Sequence, residues 1–153
     1  MKVLITGAAG YFGSQLTFHL LNRGFEVIAY DNMLYNRESL LLGINHPKLK
    51  IVCADVRNET LAETCLSNCD SLIYLAGIVG DDACKTVPKQ AKEINTTAIV
   101  NFFKIAEKQN IANTIFISTC SNYGISNPNE LVTEENKLNP LSEYSKYFRT
   151  FMW

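Results

Sequence analysis

The chain has 153 residues, 14 basic against 15 acidic side chains, a formal net charge of -1 and 47% apolar residues. A balance so close to neutral excludes a basic nucleic-acid surface and points to small neutral or anionic ligands. The length suits one domain able to bury about two thirds of its unfolded surface, which needs no disulfide or metal staples.

The first predicted element is a short strand. Val3-Leu4-Ile5 leads through Thr6 to glycines at 7, 10 and 13, and a helical pattern follows at once. Strand, glycine turn and helix in that order frame a phosphate-binding site. In that frame Gly7 permits the tight turn, Gly10 lets backbone approach a pyrophosphate, and Gly13 lets the helix pack closely on the sheet. The helix amides and dipole then face the anion. A three-residue apolar run is too short for a signal sequence, and no stretch approaches a membrane span. The expectation is a cytoplasmic protein with no membrane partner.

Phe12, Leu16 and Leu20 recur every four residues with Leu21 beside them, predicting the buried face of a helix that Arg23 and Gly24 end. Residues 26–30 read as the second strand, with Asp31 at its end. That is roughly the twenty-residue distance at which a carboxylate meets the adenosine ribose hydroxyls. A carboxylate there accepts from a free 2'-OH and repels a 2'-phosphate, favouring NAD over NADP. Arg37 could pair with such a phosphate, but it lies well past the strand end and reads as a loop residue.

Residues 32–48 carry many breakers around Leu40-Leu41-Leu42 and read as a loop with one helical turn; residues 50–54 form the third strand. Asn58 then caps a helix bearing Leu61, Ala62, Cys65 and Leu66. Residues 71–76 are apolar on both faces, as buried parallel strands are, and residues 77–84 are a loop. Pro88 opens a long helix with Ala91, Ile94, Ala98, Phe102 and Ile105 on one side, and residues 114–118 are the fifth strand. Strands alternating with helices predict an α/β fold, a doubly wound, Rossmann-like parallel sheet whose strand C-termini form the ligand edge.

Five cysteines, at 53, 65, 69, 84 and 120, are an odd set without a Cys-x-x-Cys pair; Cys65 and Cys69 stand one helical turn apart, but His19 and His46 are far from that pair in sequence. They read as reduced packing residues, and no metal site is expected.

The distinctive polar residues fall at the ligand edge: Asp55-Val56 after strand three, Leu75-Ala76-Gly77 after strand four, and Ser118-Thr119-Cys120-Ser121-Asn122-Tyr123-Gly124 after strand five. Asn139-Pro140-Leu141-Ser142-Glu143-Tyr144 follows. With Thr-Gly-x-x-Gly-x-x-Gly at 6–13 and Asp31-Asn32, these features resemble the extended short-chain dehydrogenase/reductase family, the NAD-dependent epimerases and dehydratases that act on nucleotide sugars. The resemblance covers the chain to about residue 147.

It implies NAD as cofactor, a nucleotide sugar as substrate, and a role for each matched position. Gly7 would shape the turn, and the amides of Gly10, Tyr11, Phe12 and Gly13 would hold the pyrophosphate. Asp31 and Asn32 would take the adenosine ribose, Asp55 and Val56 the adenine, and Leu75, Ala76 and Gly77 would run beside the cofactor. Asn95 matches a family Asn near the active site and is grouped with the cofactor residues; a helix-surface amide is the alternative. Thr119 matches the residue that bonds the sugar hydroxyl being oxidised, and Tyr144 the catalytic tyrosine.

Hydride can leave a sugar carbon only as the hydroxyl proton departs, so a base must touch that oxygen. A tyrosine serves only if its pKa falls from near 10 to near 7, a change of about 4 kcal/mol. In the family this comes from the nicotinamide charge and from a lysine four residues after the tyrosine. Here that position is Phe148. Lys146 is two residues along, about 200° around a helix. A second alignment places Lys146 at the family lysine but puts Ser142 where the tyrosine should be.

Residues 148–153 resemble nothing in the family and read as an atypical apolar tail, after an NAD-binding domain at 1–147 with no substrate domain following. The expectation is a truncated or frame-shifted product. With strands in the order 3-2-1-4-5, strand five would be an open edge for a second copy or another chain. Three readings compete: an NAD-dependent nucleotide-sugar epimerase or dehydratase, a non-catalytic NAD(H)-binding module or relic, and a small-carbonyl reductase.

Overall fold

The computed structural model describes residues 1–35, 38–126 and 131–149. Strand β1 (Lys2–Thr6) runs through the middle, between β2 (Glu26–Asp31) and β4 (Ser71–Tyr74); β3 (Leu49–Cys53) lies outside β2 and β5 (Asn113–Phe116) outside β4. Every neighbouring pair is parallel, in the order β3-β2-β1-β4-β5. This is the doubly wound sheet expected from the alternation of strand and helix.

Alternate β1 residues feed two cores. Val3 and Ile5 join Val27, Ala29, Leu21 and Leu40 on one face, beneath helix α1 (Tyr11–Asn22). Leu4 joins Ile28, Tyr30, Leu72 and Tyr74 on the other. That second face is covered by α2 (Glu59–Leu66), α3 (Asp81–Thr86), a long helix and the short α6 (Glu143–Arg149). The long helix begins as α4 (Pro88–Lys92), widens into a π turn (Glu93–Ala98) and ends as α5 (Ile99–Lys108). Phe102 of α5 meets Tyr30 and Tyr74 edge-on, with ring centroids 5.6 and 5.4 Å apart. Asn58 caps α2 as expected, its side chain accepting from the Leu61 amide.

Four expectations are corrected. The most buried residues of α1 are Gly13, Ser14, Thr17 and Leu21, with Leu16 and Leu20 packed partly buried beside them as expected; Phe12 alone of the expected stripe is exposed. A helix seated this close to a sheet needs small residues at the contact. Residues 81–86 form α3 within the expected loop, with Asp81 and Asp82 in the first turn and Lys85 in the last, the charges a helix dipole favours. Strand β4 ends at Tyr74: the Leu75 amide is shared between the Thr6 carbonyl at 3.2 Å and the Thr6 hydroxyl at 3.1 Å, and the Ala76 amide goes to the hydroxyl at 3.2 Å. Phe148, expected in a tail, lies within α6 and is buried. Arg37 and residues 150–153 lie outside the described residues.

Candidate functional site

The glycine bend joins β1 to α1 at the carboxyl edge of the sheet. Gly7 has φ +69°, and its amide donates to the Tyr30 carbonyl at 2.9 Å. A Cβ on Gly13 would stand 2.1 Å from the Gly7 carbonyl oxygen, so only glycine lets the helix start there. At Gly10 the same test meets only that oxygen, at 3.2 Å. Helix α1 opens with no side-chain cap and no acid in its first turn. The side chains of Tyr11 (95% exposed) and Phe12 (57%) stand out in solvent, away from the bend. An uncapped N-terminus with its amides facing a shallow backbone cradle suits a phosphate group.

Asp31 is turned into this cradle. Its Oδ2 accepts from the Ala9 amide at 3.0 Å and its Oδ1 from the Met33 amide at 2.7 Å. The Ser39 hydroxyl donates to the Ala9 carbonyl at 2.8 Å and closes the loop against the bend. Asn32, next in sequence, accepts from the Leu34 amide through Oδ1 at 3.1 Å.

Beyond Asp31 the chain after β3 places Asp55 and Val56. The Tyr30 hydroxyl, buried beneath them, donates to the Asp55 carbonyl at 2.9 Å. Burial pushes the Tyr30 pKa up to about 12. The Asp55 side chain is gripped by Arg57, through Nε at 2.9 Å and Nη2 at 2.8 Å, and Arg57 Nη1 reaches Glu93 on the π turn at 2.8 Å. The Arg57 guanidinium holds the Asp55 carboxyl below the usual aspartate range. Neither Arg57 nor Glu93 was expected at the site. The Asp55, Arg57 spacing was visible in the sequence, but the 36-residue span to Glu93 hid the third member.

The loop after β4 is fixed from both sides. Thr6 holds Leu75 and Ala76, and Asn95 holds Ile78: its Oδ1 accepts from the Ile78 amide at 2.9 Å and its Nδ2 donates to the Ile78 carbonyl at 2.8 Å. Asn95 is fully buried, which removes the helix-surface alternative. A Cβ on Gly77 would lie 3.2 Å from Asn95 Oδ1 and 3.7 Å from Phe148 Cζ, so the loop passes tightly over both residues. Asn95 therefore shapes the loop, with its amide engaged there.

Thr119 and Tyr144 come together, the Thr119 hydroxyl lying close enough to the phenol to favour its ionised form. Burial nevertheless pushes the Tyr144 phenol above the ordinary tyrosine range, and the nearby Thr119 hydroxyl only partly opposes this. Phe148 packs on Tyr144 with ring centroids 5.0 Å apart and stacks on Phe116 at 5.7 Å. Lys146 points elsewhere, paired with Glu143 at 2.8 Å. Ser142 begins α6: its hydroxyl accepts from the Ser145 amide at 3.2 Å. Tyr144 thus lies beside Thr119, while the Ser142 hydroxyl is engaged with Ser145.

A cleft of about 340 Å³ opens at the opposite end of the strands, lined by Lys2, Glu26, Lys48 and Lys50 among others. Lys2 there pairs with Glu26 at 3.5 Å and Lys48 bonds the Gly24 carbonyl at 2.9 Å. Chemistry rather than volume marks the site at the carboxyl edge. Among the cysteines, Cys65 and Cys84 are buried as packing residues, whereas Cys53 and Cys120 are exposed, contrary to expectation. No helix among the described residues is long and apolar enough to cross a membrane.

A central βαβ unit with a glycine bend, an uncapped helix and an acid at the end of β2 defines a Rossmann-type, dinucleotide-binding class of protein. The chain belongs to the NAD dependent epimerase/dehydratase family, which matches residues 3–150. It is 30% identical over 131 residues to a UDP-glucose 4-epimerase of Klebsiella pneumoniae, an alignment covering 81% of this chain and 93% of that one. It is 27% identical to the UDP-glucose 4-epimerase of Pisum sativum, covering 95% of this chain and 44% of the relative. The dTDP-glucose 4,6-dehydratase DesIV of Streptomyces venezuelae, solved with NAD and TYD bound, superposes with a TM-score of 0.91 at 27% identity over 97% of this chain and 48% of its own. Apart from the Klebsiella sequence, the chain spans about half the length of these relatives.

Proposed function

We propose that this chain binds NAD across the carboxyl edge of its sheet, as the cofactor-holding part of a nucleotide-sugar epimerase or dehydratase. The observation that carries this reading is the cradle itself: a bend only glycine can form, with the Asp31 carboxylate bonded into it. The α1 amides would hold the pyrophosphate and Asp31 with Asn32 the adenosine ribose. Asp55 and Val56 would flank the adenine. When bound, NAD supplies the hydride acceptor for a sugar hydroxyl. Thr119 would orient that hydroxyl and Tyr144 would take its proton, a reading supported by the closeness of the two side chains.

One observation favours the second reading, NAD binding without turnover. The tyrosine must ionise near neutral pH to act as a base, yet burial shifts it the other way and Phe148 brings no charge. Calorimetry of the full chain with NAD and NADP tests the binding, and NAD-dependent oxidation of UDP-glucose or dTDP-glucose tests the turnover. NAD binding at least tenfold tighter than NADP is expected, with turnover slow or absent. No NAD binding, or a preference for NADP, overturns the proposal.

A further inference from the structure

We propose that Arg57, braced by Glu93, is the positioning residue that makes this site select a 6-aminopurine, by fixing the Asp55 carboxylate as an acceptor for the exocyclic amino group. The inference rests on the NAD reading above and adds to it a determinant of base specificity.

The location follows from register. Asp31 pairs with Cys53 across β2 and β3, and the Ala54 amide donates to the Asp31 carbonyl at 2.9 Å. A nucleoside whose ribose meets the Asp31 carboxylate therefore lays its base over residues 54–56. Tyr30 fixes the Asp55 backbone there from below, at 2.9 Å.

The Asp55 side chain is fixed just as firmly. Oδ1 accepts from the Arg57 amide and from Nε, both at 2.9 Å, and Oδ2 accepts from Nη2 at 2.8 Å. A planar guanidinium bound along one edge could still swing about its stem, but the Glu93 bond to Nη1 at 2.8 Å ties down the other edge. Glu93 is in turn held by the π turn that also carries Asn95 to Ile78, so one irregular segment braces the loops after β3 and β4 together. π turns interrupt a regular helix at a cost and are often found where a site needs them.

The charges give the specificity a sign. One guanidinium sits between two carboxylates, which leaves the cluster net negative. The 6-amino group of adenine donates a hydrogen bond, whereas the 6-oxo group of hypoxanthine can only accept one. A carboxylate held in place attracts the first and repels the second, and a site built for a donor rejects the analogue that lacks it. Were Asp55 free to rotate, it could turn away and the discrimination would shrink.

The test is calorimetric titration of the full chain and its R57L, R57K and E93Q variants with NAD and with nicotinamide hypoxanthine dinucleotide. The unaltered chain should bind NAD at least tenfold tighter than the analogue. R57L should bring that ratio below about threefold, while R57K and E93Q fall between. An R57L ratio equal to that of the unaltered chain, with both ligands weakened alike, assigns Arg57 a merely structural role and overturns the inference. If R57L fails to fold, the E93Q ratio decides: unchanged, it overturns the inference just the same. An unaltered chain that binds neither dinucleotide overturns the NAD reading first, and this inference with it; an unaltered chain that binds both alike overturns this inference alone.

Discussion

The Asp31 carboxylate receives the Ala9 amide at 3.0 Å, so the acid that ends β2 and the bend that follows β1 form one hydrogen-bonded unit. A ligand meeting one of them meets the other.

Replacing Asp31 by Ala removes acceptors from both the Ala9 and the Met33 amides. Hydrogen bonds to a charged group contribute about 1.5–3 kcal/mol each, and water replaces part of that at this half-exposed position, so urea melts should show a loss of about 1–3 kcal/mol. NAD affinity should fall more than tenfold, and the preference over NADP should vanish, because no carboxylate is left to repel a 2'-phosphate. Unaltered affinity and preference would remove Asp31 from the site.

The glycines of the bend should separate folding from binding. Gly13→Ala forces a methyl to within 2.1 Å of backbone oxygen, which the bend cannot yield without moving the helix. Overpacking of this kind costs up to about 3 kcal/mol or more, and circular dichroism should show a clearly destabilised chain. Gly10→Val meets only the Gly7 oxygen at 3.2 Å, so the fold should survive while the side chain blocks a pyrophosphate. Retained NAD binding in Gly10→Val contradicts the cradle.

Much of this was legible in the sequence, for a local reason: a glycine bend, a capped helix and an apolar strand each declare themselves within about ten residues. Asp31 could be placed because a βαβ unit has a fixed length. Leu16, Leu20 and Leu21 of α1 pack as their spacing predicts, but Gly13, Ser14 and Thr17 escaped notice because they are buried by closeness of approach, not by hydrophobicity. Asn95 was visible as a polar residue in an apolar helix, but its partner Ile78 is set by a tertiary contact and by the π turn, neither of which leaves a periodic trace. The Arg57–Glu93 contact was silent for the same reason.

Asn95→Leu should expose the cost of that contact. The substitution leaves the Ile78 amide without a partner inside the core and its carbonyl with only the Cys84 thiol, and a buried unpaired group costs about 1–3 kcal/mol. A loss of about 1–3 kcal/mol in urea melts is expected, with faster hydrogen exchange at the Ile78 amide. Exchange that stays slow would show that Asn95 does not hold the loop.

Stability should fall in alkali through Tyr30. Its pKa is raised from 10 to about 12 by burial, so the folded chain holds this proton more tightly than the unfolded one. The contribution is therefore complete below pH 10 and is lost as pH rises from about 10 to about 12. Tyr30→Phe should cost about 1 kcal/mol at neutral pH, from the bond to the Asp55 carbonyl, yet flatten the alkaline decline. Parallel curves for the two proteins between pH 10 and 12 would rule Tyr30 out as the cause.

The pair Tyr144 and Phe148 tests why turnover should be slow. The Tyr144 phenol lies above the usual range because it is partly buried, with the Phe148 ring 5.0 Å away where a lysine would bring a charge. The tyrosinate absorbance lost in Tyr144→Phe should accordingly titrate above pH 10. Phe148→Lys trades the ring stacked on Phe116 for an ammonium at a buried position, so the fold should lose about 3 kcal/mol. The same change sets a positive charge one helical turn from the phenol, and charge attraction favours the tyrosinate, moving its titration down. Phe148→Leu is the control, since it loosens the packing without adding charge. If Lys and Leu move the Tyr144 titration equally, packing rather than the missing cation governs the phenol, and the Phe148 account of slow turnover fails.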